Sequence, residues 1–143
     1  MGAFVFSGNK TVISVSGRDY KTDGSVIASN DIITVDLSPQ NDNIWGDYAR
    51  TLIVENGKVV TDISSIKNEQ WRQGLQMEEY LHEAMCDFVD SNTTFEDLFY
   101  FINGEISRKG YVNLDFLGNL GHSIVREKSK RIYIENEIKT IYQ

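Results

Sequence analysis

The sequence predicts an α+β protein, a curved antiparallel sheet with helices packed on one face. Three observations lead there. The first sixty residues hold short β-branched and aromatic runs separated by turn residues. The apolar period then changes from two to that of a helix. Neither an internal repeat nor a low-complexity linker interrupts the order, so residues 1–143 are expected to form one domain.

The extended runs are AFVF (3–6), TVISVS (11–16), IITVDL (32–37), YARTLIVE (48–55) and KVV (58–60). Each is short, as strands are, and bounded by Ser-Gly-Asn, Asp-Gly-Ser, Asn-Asp-Asn or Asn-Gly. Asn56-Gly57, between LIVE and KVV, suits a two-residue hairpin, because both central residues of that turn need positive φ. From Ile66 to Val89, the residues Trp71, Leu75, Leu81, Ala84, Met85 and Phe88 recur at helical spacing. A second helix is expected near Thr93, where Thr93 and Glu96 stand at capping-box spacing. Its buried stripe would be Phe95, Leu98, Phe99, Ile102 and Ile106, with Gly110 as its stop. Short extended pieces follow at 111–117, 123–125 and 131–134. The chain thus reads as a β-rich part (1–60), two helices (66–110) and a third part of short strands (111–143).

The whole-chain numbers narrow the function classes. A net charge of −7 and a pI near 4.8 argue against a nucleic-acid backbone or an anionic membrane surface as partner. No apolar run approaches a membrane span, and MGAFVFSGNK lacks the basic start and long apolar core of a signal peptide. The single cysteine, Cys86, cannot form an internal disulfide. A cytoplasmic protein is expected.

Two carboxylates concentrate the chemical interest. Asp36 closes an apolar run, and Asp47, eleven positions on, opens the next one after Trp45-Gly46. Strands joined by a short loop lie side by side, so these carboxylates can converge. At about 4 Å two such charges repel by roughly 4 kcal/mol at an effective dielectric near 20, which invites a proton or a metal. The bland alternative is a pair of solvated loop-end aspartates. A calcium loop is a third reading, with oxygens at Asp36, Ser38, Gln40, Asp42 and Asp47; it lacks the required glycine, the bidentate glutamate and the flanking helices. His122, in GNLGHSIV, is structural or exposed unless the fold brings it to the aspartates. His82 reads as a helix-surface histidine.

The stretch VDLSPQNDNIWGDYART resembles a pattern of the pita-bread metallopeptidases: Asp, a loop, Gly-Asp, an aromatic or β-branched residue, then Arg-Thr. This is the fold of creatinase, prolidase, aminopeptidase P and methionine aminopeptidase. GHSIV resembles the family's Gly-His-Gly-Ile-Gly segment, and the two helices fall where the family has its helical layer. The Xaa-Pro peptidase branch is the nearest in flavour, and the fold implied is a partial pita-bread fold.

The resemblance implies that Asp36 binds one metal, Asp47 bridges two, and His122 binds one; Arg50 and Thr51 complete the motif, either orienting a ligand carboxylate or, for Arg50, laying its stem over apolar surface on the strand. The implied cofactor is a divalent ion, manganese, cobalt or iron, which suits oxygen ligands with one imidazole. The implied activity is two-metal hydrolysis of N-terminal peptide bonds in a peptide substrate, with proline after the cleaved bond. Several departures accompany it. The family completes its site with two downstream glutamates, and Glu135 in RIYIENE is a weak candidate for one of them. REKSK stands where a second histidine would follow, and Ser16-Gly17 where several aminopeptidases carry His-Gly. The helix before the first strand is absent too. These departures make a truncated or remnant domain, inactive and used for binding, the alternative function. A half-built sheet with open edges would favour a homodimer.

Overall fold

The computed structural model describes residues 2–22, 24–41, 44–115, 117–125 and 130–136, with the side chains of 40, 41, 44 and 45 outside the description. By chain contacts it divides into two compact units, Met1–Gln76 and Met77–Gln143.

The first unit is built on a four-stranded antiparallel sheet. Its strands are β1 (Gly2–Ser7), β2 (Asp31–Ser38), β5 (Tyr48–Glu55) and β6 (Lys58–Val60), in the order β1-β2-β5-β6. Between β2 and β5 a small ribbon pairs β3 (Gln40–Asn41) with β4 (Ile44–Trp45). The registers run Phe4↔Asp36 between β1 and β2, Asp36↔Ala49 between β2 and β5, and Ile53↔Val60 between β5 and β6. The β5–β6 hairpin turns on Asn56 (φ 53°) and Gly57 (φ 72°), the two positive φ values that the Asn-Gly pair predicts. Ile33, Ile53, Val54 and Ile66 are buried.

One predicted strand is not there. Within 11–16, Gly8–Val12 form a 3₁₀ turn and the rest has no regular structure. Gly8, at φ 55°, ends β1, and the Ile13 N–H turns back to the Lys10 carbonyl. Val12 and Ile13 stay more than half exposed, at 61% and 55%, so their β-branched character finds no sheet to join. The chain returns to β1 at Tyr20 instead. Its hydroxyl accepts from Val5 N–H and donates to the Val5 carbonyl, and its ring meets Phe4 and Phe6 edge-on. This closes part of an open sheet edge.

The helices are α1 (Glu69–Phe88) and α2 (Phe95–Arg108). Asn68 caps α1 by accepting from Trp71 N–H, and the Glu55 carboxylate accepts from the N–H groups of Lys67 and Asn68. Met77 is the buried residue of α1, at the spacing of the predicted stripe although not counted in it. The capping box of α2 stands one residue beyond Thr93 and Glu96: Thr94 accepts from Asp97 N–H while the Asp97 carboxylate accepts from Thr94 N–H. The hydroxyl of Thr93 instead accepts from Asp90 N–H and closes the preceding turn. Leu98, Phe99 and Ile102 are the buried part of the stripe. Gly110 (φ 80°) ends α2 as expected: its N–H bonds to Ser107 and that of Tyr111 to Ile106, the paired bonds of a Schellman cap.

Among the described residues, the extended pieces predicted after α2 reduce to one isolated antiparallel bridge, His122↔Tyr133. Side-chain-anchored turns take their place at 113–115 and 117–119, where Asp115 accepts from the N–H groups of Leu117 and Asn119 and Asn113 from that of Asp115. Such turns give the backbone partners that a sheet ladder would otherwise supply. Among the described residues no helix is long and apolar enough to cross a membrane.

Candidate functional site

The β3–β4 ribbon decides how the two aspartates relate. Gln40 pairs with Trp45 and Asn41 with Ile44, and the Gly46 N–H bonds to the Pro39 carbonyl at 3.0 Å. The loop therefore folds back on itself and returns the chain to β2 directly at Asp47. Paired strands here are incompatible with a calcium loop wound between helices; Asp42, one of its oxygens, lies outside the described residues.

In the β2–β5 register Asp36 lies opposite Ala49, and Leu37 opposite Tyr48. Strand alternation carried one residue past Tyr48 puts Asp47 on the face of Ala49, and so of Asp36. In a regular antiparallel pair, positions so placed are diagonal neighbours about 7–8 Å apart. At that separation their repulsion is about 2 kcal/mol at an effective dielectric near 20, roughly half the figure for carboxylates in contact. Both residues are half-buried, and the Asp36 Oδ1 is shielded from solvent. A screened carboxylate beside a second one on the same face is the donor chemistry a hard divalent cation takes.

The neighbours divide between the two faces. Thr51 shares the aspartates' face and lies opposite Thr34, with their hydroxyl oxygens 3.4 Å apart. Arg50 lies opposite Val35, on the other face. Its guanidinium sits 4.0 Å over the Tyr48 ring and donates to the Ala49 carbonyl at 2.7 Å. Arg50 thus covers an exposed aromatic ring, the cation–π use of its side chain.

His122 belongs to the second unit, and its ring is held from three directions. Nδ1 bonds to the Ser123 carbonyl at 3.1 Å, Nε2 to Arg131 Nη1 at 3.3 Å, and Tyr133 meets the ring edge-on at 5.4 Å between centroids. A carbonyl only accepts and a guanidinium only donates. The proton therefore sits on Nδ1, and the lone pair of Nε2 faces Arg131. The Nε of Arg131 is buried with no hydrogen-bond partner among the described residues, an arrangement that ordinarily costs about 1–3 kcal/mol. Ser123, Arg131 and Tyr133 escaped the sequence reading because nothing in REKSKR or RIY distinguishes one arginine from a solvated charge run. Glu135 stands in a bend two residues past Tyr133, half-buried.

Among the described residues, no three His, Cys, Asp or Glu side chains gather as a metal ion would require. The two aspartates fit a hard cation by type and face, whereas the imidazole lone pair is taken by a cation of the protein itself.

An antiparallel sheet and two helices define an α+β protein, with Asp36 near the end of β2 and Asp47 just before β5. Residues 2–140 match the model of metallopeptidase family M24, and the chain belongs to that family. No curated protein and no solved structure matches the chain significantly.

Proposed function

We propose that this domain serves metal-dependent peptide hydrolysis of the Xaa-Pro aminopeptidase or dipeptidase type by a two-metal mechanism. Asp36 and Asp47 are its carboxylate ligands and His122 its imidazole ligand. The observation that supports the reading is the place of Asp36 opposite Ala49, with Asp47 one residue before β5, in a chain that matches a metallopeptidase family over residues 2–140. When bound, divalent ions would polarise the scissile carbonyl and activate water. The chain's own part is to hold two carboxylates on one strand pair, with one oxygen kept from solvent. Thr51 is the motif residue that accompanies them on that face. Manganese, cobalt and iron suit such oxygen donors with one imidazole.

The test is metal content of the purified protein together with turnover of Xaa-Pro dipeptides in added manganese or cobalt. Stoichiometric metal and turnover, both lost in Asp47→Ala, are expected. A protein that takes up no metal under these conditions would sink the reading.

A second reading is a non-catalytic domain used for binding. It is favoured by the sequence departures: REKSK stands where a second histidine would follow, and Ser16-Gly17 where several aminopeptidases carry His-Gly. Metal uptake without turnover would favour it. Homodimerisation is part of the proposal as well. Val5, Leu37, Tyr48 and Leu52 alternate onto one sheet face and are exposed, which leaves apolar surface for a second copy. A monomer mass by light scattering at micromolar concentration would remove that element. The acidic chain with its one exposed free cysteine, Cys86, suits the reducing cytoplasm.

A further inference from the structure

We propose that Asn56 is a modification site governed by the β5–β6 hairpin: its side-chain amide cyclises onto the Gly57 nitrogen and hydrolyses to aspartate and isoaspartate once the turn releases the Ser29–Asn30 segment. The chain holds two Asn-Gly pairs, Asn56-Gly57 and Asn103-Gly104, and a glycine after asparagine leaves that cyclisation unhindered. The fold treats the two pairs differently. Asn56 and Gly57 are exposed at a turn, and nothing stands within 4 Å of the position a Cβ on Gly57 would take. Asn103 is half-buried inside α2. Its amide donates to the Phe99 carbonyl at 3.1 Å and the Gly118 carbonyl at 3.0 Å, and accepts from Asn113 at 3.0 Å.

In the reaction the Gly57 nitrogen, on losing its proton to solvent base, attacks the Asn56 Cγ. The new N–C bond closes a cyclic imide, and the Cγ–Nδ2 bond breaks to release ammonia. Water then opens the ring at one carbonyl to give aspartate or at the other to give isoaspartate, so water enters and ammonia leaves. The closed turn opposes this. With φ 53° at Asn56 and 72° at Gly57 the turn is of type I′, whose first central ψ is about +30°. That rotation puts the Gly57 nitrogen on the far side of the Asn56 Cα–C bond from the side chain. The Gly57 N–H also donates to the Ser29 carbonyl at 2.8 Å, a bond that must break before the nitrogen turns onto Cγ. The Asn56 N–H donates to Asn30 Oδ1 at 3.0 Å, which holds the residue that would turn. Opening is local: β6 has three residues and lies at the edge of the sheet, so it can part without the rest of the unit. Isoaspartate adds a carbon to the main chain inside a two-residue turn. The register Glu55↔Lys58 and Val54↔Val59 depends on the length of that turn.

The test is incubation of the full chain in mildly alkaline buffer, native and in urea, with peptide mapping of both asparagines by mass spectrometry. In urea Asn56 and Asn103 should convert at similar rates. In the native protein Asn56 should convert at least about tenfold more slowly than in urea, and Asn103 at least about tenfold more slowly again, because their openings differ in free energy. Asn30→Ala removes the oxygen that holds the Asn56 N–H and should speed Asn56 by about three- to tenfold, with Asn103 unchanged. Asn30→Asp keeps an oxygen acceptor and should stay near wild type. Equal native rates at the two asparagines would show that global unfolding governs the site, and would overturn the proposal. A native Asn56 rate equal to that in urea would overturn it too, since the turn would then offer no restraint. If Asn30→Ala speeds both sites alike, it acts on global stability, and the wild-type ratio of Asn56 to Asn103 decides.

Discussion

The Tyr80 hydroxyl donates to the Glu105 carboxylate, and Arg108 donates both to that carboxylate and to the Tyr80 oxygen. Lys109 adds its ammonium 4.4 Å over the Tyr80 ring. The triad links α1 to α2 through charge-assisted hydrogen bonds. It sets the Glu105 carboxyl down to about 2, chiefly through the Arg108 bonds and then that of Tyr80, and it raises the Tyr80 phenol, chiefly through Glu105.

A pH dependence follows with a definite sign. A carboxyl whose pKa is depressed on folding binds its proton less readily in the native state, so it stabilises above its unfolded value near 4.5. That contribution drains away as pH falls from about 4.5 to about 2. Urea midpoints of wild type and Glu105→Gln should therefore differ at pH 6 and converge on acidification. A gap that is constant across that window would show that Glu105 acts through packing alone.

The α2 cap offers a second measurement. Thr94→Ala removes the hydroxyl that accepts from Asp97 N–H at 3.0 Å and should cost about 1 kcal/mol. Thr94→Ser, which keeps the acceptor, should restore most of it. Thr93→Ala leaves the box intact and should cost less than Thr94→Ala. The reverse order would return the cap to Thr93.

Two glycines should respond in opposite directions. Gly104 lies within α2, and nothing approaches the position a Cβ would take, so Gly104→Ala should stabilise by about 0.5–1 kcal/mol. Gly118 has φ 68°, and a Cβ there would rest 3.5 Å from the Phe99 ring. Gly118→Ala should destabilise by about 1–2 kcal/mol through the left-handed backbone alone. Thermal or urea midpoints decide both, and equal effects would contradict the local geometry.

Ile53 is fully buried at 0% exposure, on the aspartates' face of β5. Ile53→Ala should cost about 2–5 kcal/mol in urea unfolding, depending on how far its surroundings collapse into the cavity. A loss below 1 kcal/mol would mean that the site relaxes freely.

Elements with strong local signals were legible in the chain. β5 and β6 match YARTLIVE and KVV residue for residue, since an Asn-Gly turn sets their register without distant help. The helices followed from apolar spacing, with ends displaced by a residue or a few. TVISVS was misread because strand propensity reports a fit to a sheet, and here the sheet edge it might have joined is occupied by Tyr20. The piece at 111–117 differs for a related reason: Asn113 and Asp115 supply bonds to the backbone that spacing alone does not reveal.

The sequence by itself determined the α+β order of elements, the Asn-Gly hairpin and the candidate status of Asp36, Asp47 and His122. These depend on period and on short motifs, which are local. Only the tertiary structure decided that Gln40–Asn41 pair with Ile44–Trp45, that Arg50 lies on the sheet face opposite to Asp36, and that Arg131 lies beside the His122 Nε2. Register and side-chain direction depend on which strands pair and on what fills the space between residues far apart in the chain. A linear pattern does not contain those contacts.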